Sequence, residues 1–352
     1  GSDFEIPMYL ETDETNRGLL GNIALKVLNV FTKKAVEDKV INIAANLEKK
    51  MLENMSGVYA VDTGFNLSKV SLKNNGNPFL LFIHGTNSST AGSFSEIQQS
   101  ELWKNMRQTY GDNIIALQHE TLTKSPIQNV IQLFKELPSG CTLHVITHSR
   151  GGLVGDVLAR FCNGNAGFTP KEIAYLEKTK RTSDVANIAA LQKIATGNNI
   201  VIEKYIRVAC PAYGTTILSK RLDHFLNISI NLIGSVFGPA GNLIAGEFKN
   251  LISAAVDTKN DPNDLPGLEA MNPDSPFLKI LNNPENKIDG PLSVISGNCG
   301  LKFNLKALLI IASKLFYMRD NDLVVDTKSM YCGSKRKTDI PYFFDEGPEV
   351  DH

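Results

Sequence analysis

The chain has 352 residues, 42% of them hydrophobic, and a formal net charge of -1. That is globular composition, long enough for one large α/β domain or two medium ones, and the near-zero charge excludes a nucleic-acid binder that relies on a clustered basic face. The five cysteines, Cys141, Cys162, Cys210, Cys299 and Cys332, are scattered and lack CxxC spacing, so neither a metal site nor a disulfide framework is expected. With no basic-then-apolar leader pattern, the expected location is cytoplasmic.

In chain order, apolar residues recur at three and four from Arg17 to about Met55, through Leu20, Val27, Phe31, Ile41, Ala44 and Leu47. The spacing predicts one long amphipathic helix or a pair of helices, packed on the main domain or offered to a partner. The stretch "GVYAVDTGFNLSKVSL" alternates on either side of Thr63-Gly64 and predicts a hairpin. Residues 1–78 are therefore read as a helical segment and hairpin on the core of a domain spanning 79–352.

From residue 79 the pattern becomes strands alternating with helices. Candidate strands lie at 79–83, 113–118, 142–147, 203–209 and 291–296. Their continuous apolar runs suit strands buried on both faces of a mostly parallel sheet flanked by helices. The interval of about 212–288 reads as an insertion. Within it, Phe225 to Gly246 carries no charge, but its Asn, Gly and Pro residues argue against a spanning helix and for a buried or interfacial lid.

The corner "THSRGG" follows the strand "LHVI" and precedes the helical pattern "LVGDVLARF". Ser149 there is either a nucleophile or a helix cap. Two adjacent glycines are poor helix formers, so a cap alone gives no reason for Gly151 and Gly152. Thr147 departs from the G-x-S-x-G pattern, in which that position is Gly. His84-Gly85-Thr86 ends an earlier strand in the manner of an oxyanion loop, with the backbone N–H groups of Thr86 and Arg150 as the two donors. His84 and His148 are read as structural groups beside the pocket. For the orienting carboxylate, Asp322 is preferred to Asp320 and Asp326 because it directly precedes the apolar "LVV". Of the histidines only His352 follows it. His352 is thus either the general base or a tail residue without a role.

The ordered set "FIHGT", "THSRGG", "ACPAYGT", "AMNPDSPFLKILN", "SVISGN", "NDLVV" and "DH" resembles the α/β-hydrolase superfamily, in its lipase-like branch. More narrowly, "FIHGTNSST" to "HSRGGLV" is similar to bacterial hydrolase domains found beside caspase-like (CHAT) proteases. The resemblance implies an α/β-hydrolase fold with a helical lid insertion and the order Ser149, Asp322, His352. It implies a turn at Pro211 to Thr215, with Pro211 and Tyr213 on the pocket wall and Phe225 and Phe237 in the lid. It makes His352 the base. Because this fold usually continues past the histidine, it also implies a piece of a longer polypeptide. The expected activity is hydrolysis of a carboxylic ester, a lipid or acyl ester given the apolar lid, with no cofactor and with transient membrane-surface contact through the lid. The alternatives are an acyltransferase and a non-catalytic regulatory or binding module beside other domains of a longer, defence-type protein.

Overall fold

The structure, a computed structural model, describes residues 33–86, 88–215, 265–299 and 327–347. Helix α1 (Lys33–Met51) leads into the hairpin β1 (Gly57–Val61) and β2 (Leu67–Lys69), paired antiparallel as the alternation predicts. Then β3 (Phe79–Ile83), β4 (Ile114–Gln118), β5 (Thr142–His148), β6 (Val201–Val208) and β7 (Ser293–Cys299) follow, close to the expected spans. An eighth strand, β8 (Tyr342–Gly347), is not among the strands expected from the sequence. Among the described strands it lies at the sheet edge and pairs with β7, and Tyr342, Phe343 and Phe344 are exposed, unlike the buried runs of the central strands.

The eight strands form one sheet in the order β2-β1-β4-β3-β5-β6-β7-β8. From β4 across to β8 neighbouring strands are parallel, and β1 is antiparallel to both its neighbours. Helices α2 (Thr90–Phe94), α3 (Glu101–Tyr110), α4 (Pro126–Glu136), α5 (Gly151–Ala159), α6 (Pro170–Lys178) and α7 (Thr182–Ala195) fall between β3 and β6. Their starts are written locally. Ser125 and Gln128 form a capping box before α4, Thr169 and Glu172 another before α6, and each helix opens with Pro.

Alternation along the strands divides the core. Leu81, Ile83, Ile115, Leu117, Leu143 and Val145 pack with α4 and α5, while Leu80, Phe82, Ile114 and Ala116 pack with Phe65, Phe94 and Trp103. Covered faces and parallel order make this the α/β-hydrolase arrangement expected from the sequence. After residue 264, α8 (Pro266–Glu269) and α9 (Pro276–Leu281) bury Leu268, Phe277, Leu278, Ile280 and Leu281 in the larger core. The uncharged segment with Phe225 and Phe237 lies outside the described residues. No described helix is long and apolar enough to cross a membrane.

One polar cluster in this core has no apolar signature. Asp156, wholly buried on α5, accepts from Arg207 Nη1 at 2.6 Å and Arg336 Nη2 at 3.2 Å. Arg207 also donates to the carbonyls of Met330 and Cys332. These bonds fasten α5 to β6 and to the segment that follows α10 (Thr327–Met330).

Candidate active site

The chain leaves β3 for β4 on one side, and β5 then adds on the other, so the strand order reverses between β3 and β5. In open α/β sheets the crevice beyond the carboxyl ends of the strands at such a reversal is where ligands bind. Two of the sequence motifs end there. Ile83, before His84-Gly85-Thr86, is in register with Thr147, before His148-Ser149-Arg150.

Ser149 has φ 52, a left-handed conformation that costs a non-glycine residue on the order of 1–2 kcal/mol. The corner is held on both sides. The Ser149 N–H donates to the Val208 carbonyl at 2.9 Å, and the Ser149 carbonyl accepts from Gly152 N–H at 2.9 Å. The N-cap position of α5 belongs to Arg150, and no side chain caps that helix. The glycines serve close approach instead. A Cβ on Gly151 would stand 2.3 Å from the Ile83 carbonyl oxygen, and one on Gly152 2.4 Å from Cys210 Sγ.

The His84-Gly85-Thr86 loop touches this corner. A Cβ on Gly85 would lie 2.8 Å from Ser149 Cβ and 3.4 Å from its Oγ. His84 is buried, and its two ring nitrogens have different tasks. Nε2 accepts the His119 backbone N–H at 3.2 Å, so the proton sits on Nδ1, which donates to the Gly85 carbonyl at 3.0 Å. In a trans peptide C=O and N–H point to opposite sides. With the Gly85 carbonyl turned to His84, the Thr86 N–H faces away from His84. Neither that N–H nor the Arg150 N–H donates to another described residue. Thr86 Oγ1 donates to Met271 Sδ at 3.2 Å.

Burial holds His84 neutral, its pKa pushed down to about 4. His119, stacked on it with ring centroids 4.1 Å apart, is pushed well down by burial, with help from His84 and Arg150. The Arg150 guanidinium does not enter the crevice. It is fully buried and donates to the Gly267 carbonyl at 3.1 Å, the Lys124 carbonyl at 2.6 Å and Asn129 Oδ1 at 3.1 Å.

The remaining sequence candidates fall as follows. His148 is half-buried, its ring edge-on to Phe94. Pro211 is buried and its carbonyl accepts from Gly214 N–H, while Tyr213 is 60% exposed. Ser329 on α10 clips this turn, taking the Tyr213 N–H and donating to the Gly214 carbonyl. Asp322 and His352 lie outside the described residues, as do Asp320 and Asp326. Among the described residues no group of His, Cys, Asp or Glu is arranged to hold a metal ion. His119, which from its place beside a strand reads as structural, packs on His84; sequence reasoning missed Glu48 and Asn129, which support the corner across long stretches of chain and carry no local motif.

The chain is similar in fold to several solved structures. Lipase 1 from Pelosinus fermentans is 13% identical with a TM-score of 0.47, over 78% of this chain and 92% of that one. EstA from Clostridium botulinum is 11% identical with a TM-score of 0.46, over 87% and 91%. Lipase BlEst2 from Bacillus licheniformis in its propeptide form is 16% identical with a TM-score of 0.34; the match covers 78% of this chain but only 46% of that enzyme. Sheet order and the strand–turn–helix corner define the fold. No curated protein matches the sequence. The family described as a domain of unknown function (DUF7379) matches residues 58–352, most of the chain, and the chain belongs to that family.

Proposed function

We propose that the protein is a serine hydrolase of carboxylic esters that works through an acyl-enzyme. The observation that carries this reading is the strained Ser149 at the strand-order reversal, with Gly85 of the His-Gly loop against it. A serine held at φ 52 without capping a helix costs stability, and such strain gathers where a side chain must be presented to a ligand. In the proposed reaction Ser149 Oγ attacks the ester carbonyl. His352 takes the hydroxyl proton and passes it to the leaving alcohol, and Asp322 holds the imidazole in register. The amides of Thr86 and Arg150 take the oxyanion. Water then attacks the acyl-enzyme, giving the acid and the free serine. Apolar residues of 225–237 favour an acyl or lipid ester as substrate.

A fluorophosphonate probe tests the reading. Labelling of the wild type that disappears in Ser149→Ala supports it; a folded wild type that takes up no probe overturns it in favour of the binding or regulatory module suggested by the resemblance to domains beside caspase-like proteases. An assay with an added alcohol separates the acyltransferase alternative, which would form a new ester in preference to free acid.

A further inference from the structure

The hydrolase corner leans on a helix that precedes the alternating strands and helices. Glu48 of α1 is 4% exposed, and its carboxylate faces the loop after β4. It accepts the backbone N–H of Leu122 and of Thr123, the first at 2.5 Å, and the Thr123 hydroxyl at 2.5 Å. The next residue of that loop, Lys124, gives its carbonyl to Arg150 Nη2. Gly267 closes the ring, with its N–H on the Leu122 carbonyl and its own carbonyl on Arg150 Nε. The backbones approach closely at that contact, since a Cβ on Gly267 would stand 2.1 Å from the Thr121 carbonyl oxygen. Glu48 therefore holds the N–H side of a loop whose carbonyl side holds the arginine next to the nucleophile.

Charge adds to the geometry. A buried guanidinium is costly without an opposite charge nearby. Glu48 attracts Arg150 through the loop, and Arg150 in turn favours the ionised form of Glu48, against the burial that raises its pKa. Among the described residues, His84 and His119 also couple to Arg150, and both are held neutral by burial and supply no counter-charge.

Resting on the hydrolase reading, we infer that Glu48 is a positioning residue for the oxyanion pocket: through the 122–124 loop it anchors the Arg150 side chain and so fixes the direction of the Arg150 amide. A carboxylate that positions a transition-state donor affects turnover at each working site, and leaves substrate binding alone. A carboxylate that only stabilises the fold changes how much protein is folded, and leaves turnover per working site unchanged.

The test uses the full chain. Fluorophosphonate titration counts reactive serines, and hydrolysis of p-nitrophenyl butyrate then gives kcat per titrated site and KM. For Glu48→Gln the expected result is kcat per site lower by about 10-fold or more with KM within about twofold; Glu48→Asp recovers part of the loss. Unchanged kcat per site in folded Glu48→Gln, or a change confined to KM, overturns the role of Glu48 while leaving the hydrolase reading intact. A wild type that is not labelled at Ser149 overturns the hydrolase reading itself. If Glu48→Gln does not fold, the double variant Glu48→Gln with Arg150→Met removes both charges, a replacement that buried pairs often tolerate. It is expected to show the same loss per titrated site, and wild-type turnover in the folded double variant overturns the inference.

Discussion

The side chain of Thr147 sits under the backbone of Gly155: a Cβ on Gly155 would stand 2.9 Å from Thr147 Cγ2 and 2.3 Å from the Tyr205 hydroxyl. The departure from G-x-S-x-G before the serine is thus met from the helix side. Here glycine stands on the facing turn of α5 rather than on the strand, and helix and strand pack closely. Thr147→Gly is therefore expected to lower stability by about 2 kcal/mol, from lost packing and added chain freedom, with no gain in the rate of fluorophosphonate labelling. Urea unfolding and a labelling time course check both halves; faster labelling would mean that the threonine obstructs the corner.

The strain at Ser149 is separable from its chemistry. Alanine keeps the left-handed cost at φ 52 and glycine relieves it. Ser149→Gly is expected to be more stable than Ser149→Ala by about 1 kcal/mol, both being unlabelled. Equal unfolding midpoints would show that the turn relaxes when the hydroxyl is absent.

Gly85 faces the serine at a distance that excludes any side chain, since its Cβ would come within 2.8 Å of Ser149 Cβ. Gly85→Ala must move either the loop or the serine. Displacing one oxyanion donor costs on the order of 100-fold in rate. The expected outcome is a loss of that size in ester turnover, with unfolding changed far less, read from kcat and thermal melting on the same preparation.

His84 makes acid stability measurable. Its folded pKa is about 4, below the ordinary 6.5. Between those values the unfolded chain holds more protons, so stability is full above 6.5 and falls as pH drops toward 4. The whole window is worth about 3 kcal/mol for this group. In His84→Asn the loss of stability between neutral pH and the acid end is expected to be smaller by about that amount. Unfolding curves across the range decide it, and parallel curves for the two proteins would contradict a buried neutral imidazole.

Local signals in the sequence reached far. The apolar runs at 79–83 and 142–147 mark strands buried on both faces, because a parallel sheet covered by helices exposes neither side. The pairing of Gly151 with Gly152 after Ser149 marks the corner, because their missing side chains answer contacts fixed by the strand just before. What was not legible has a common cause. β8 opens with three aromatic residues, but the run is short and breaks into Asp345, Glu346 and Gly347, and its place at the sheet edge comes only from pairing with β7. The sequence singles out Arg150 only for its backbone amide, and the approach of Asn129, Gly267 and the 122–124 loop is what makes its side chain a buried anchor. Glu48 is one acidic residue on an amphipathic helix until the fold lays it against that loop. The sequence by itself determined the strand–turn–helix corner and the order of the elements, since both depend on neighbours along the chain. Tertiary structure alone decided which distant polar groups meet beneath the corner, because a buried charge is stabilised by partners that chain separation does not specify.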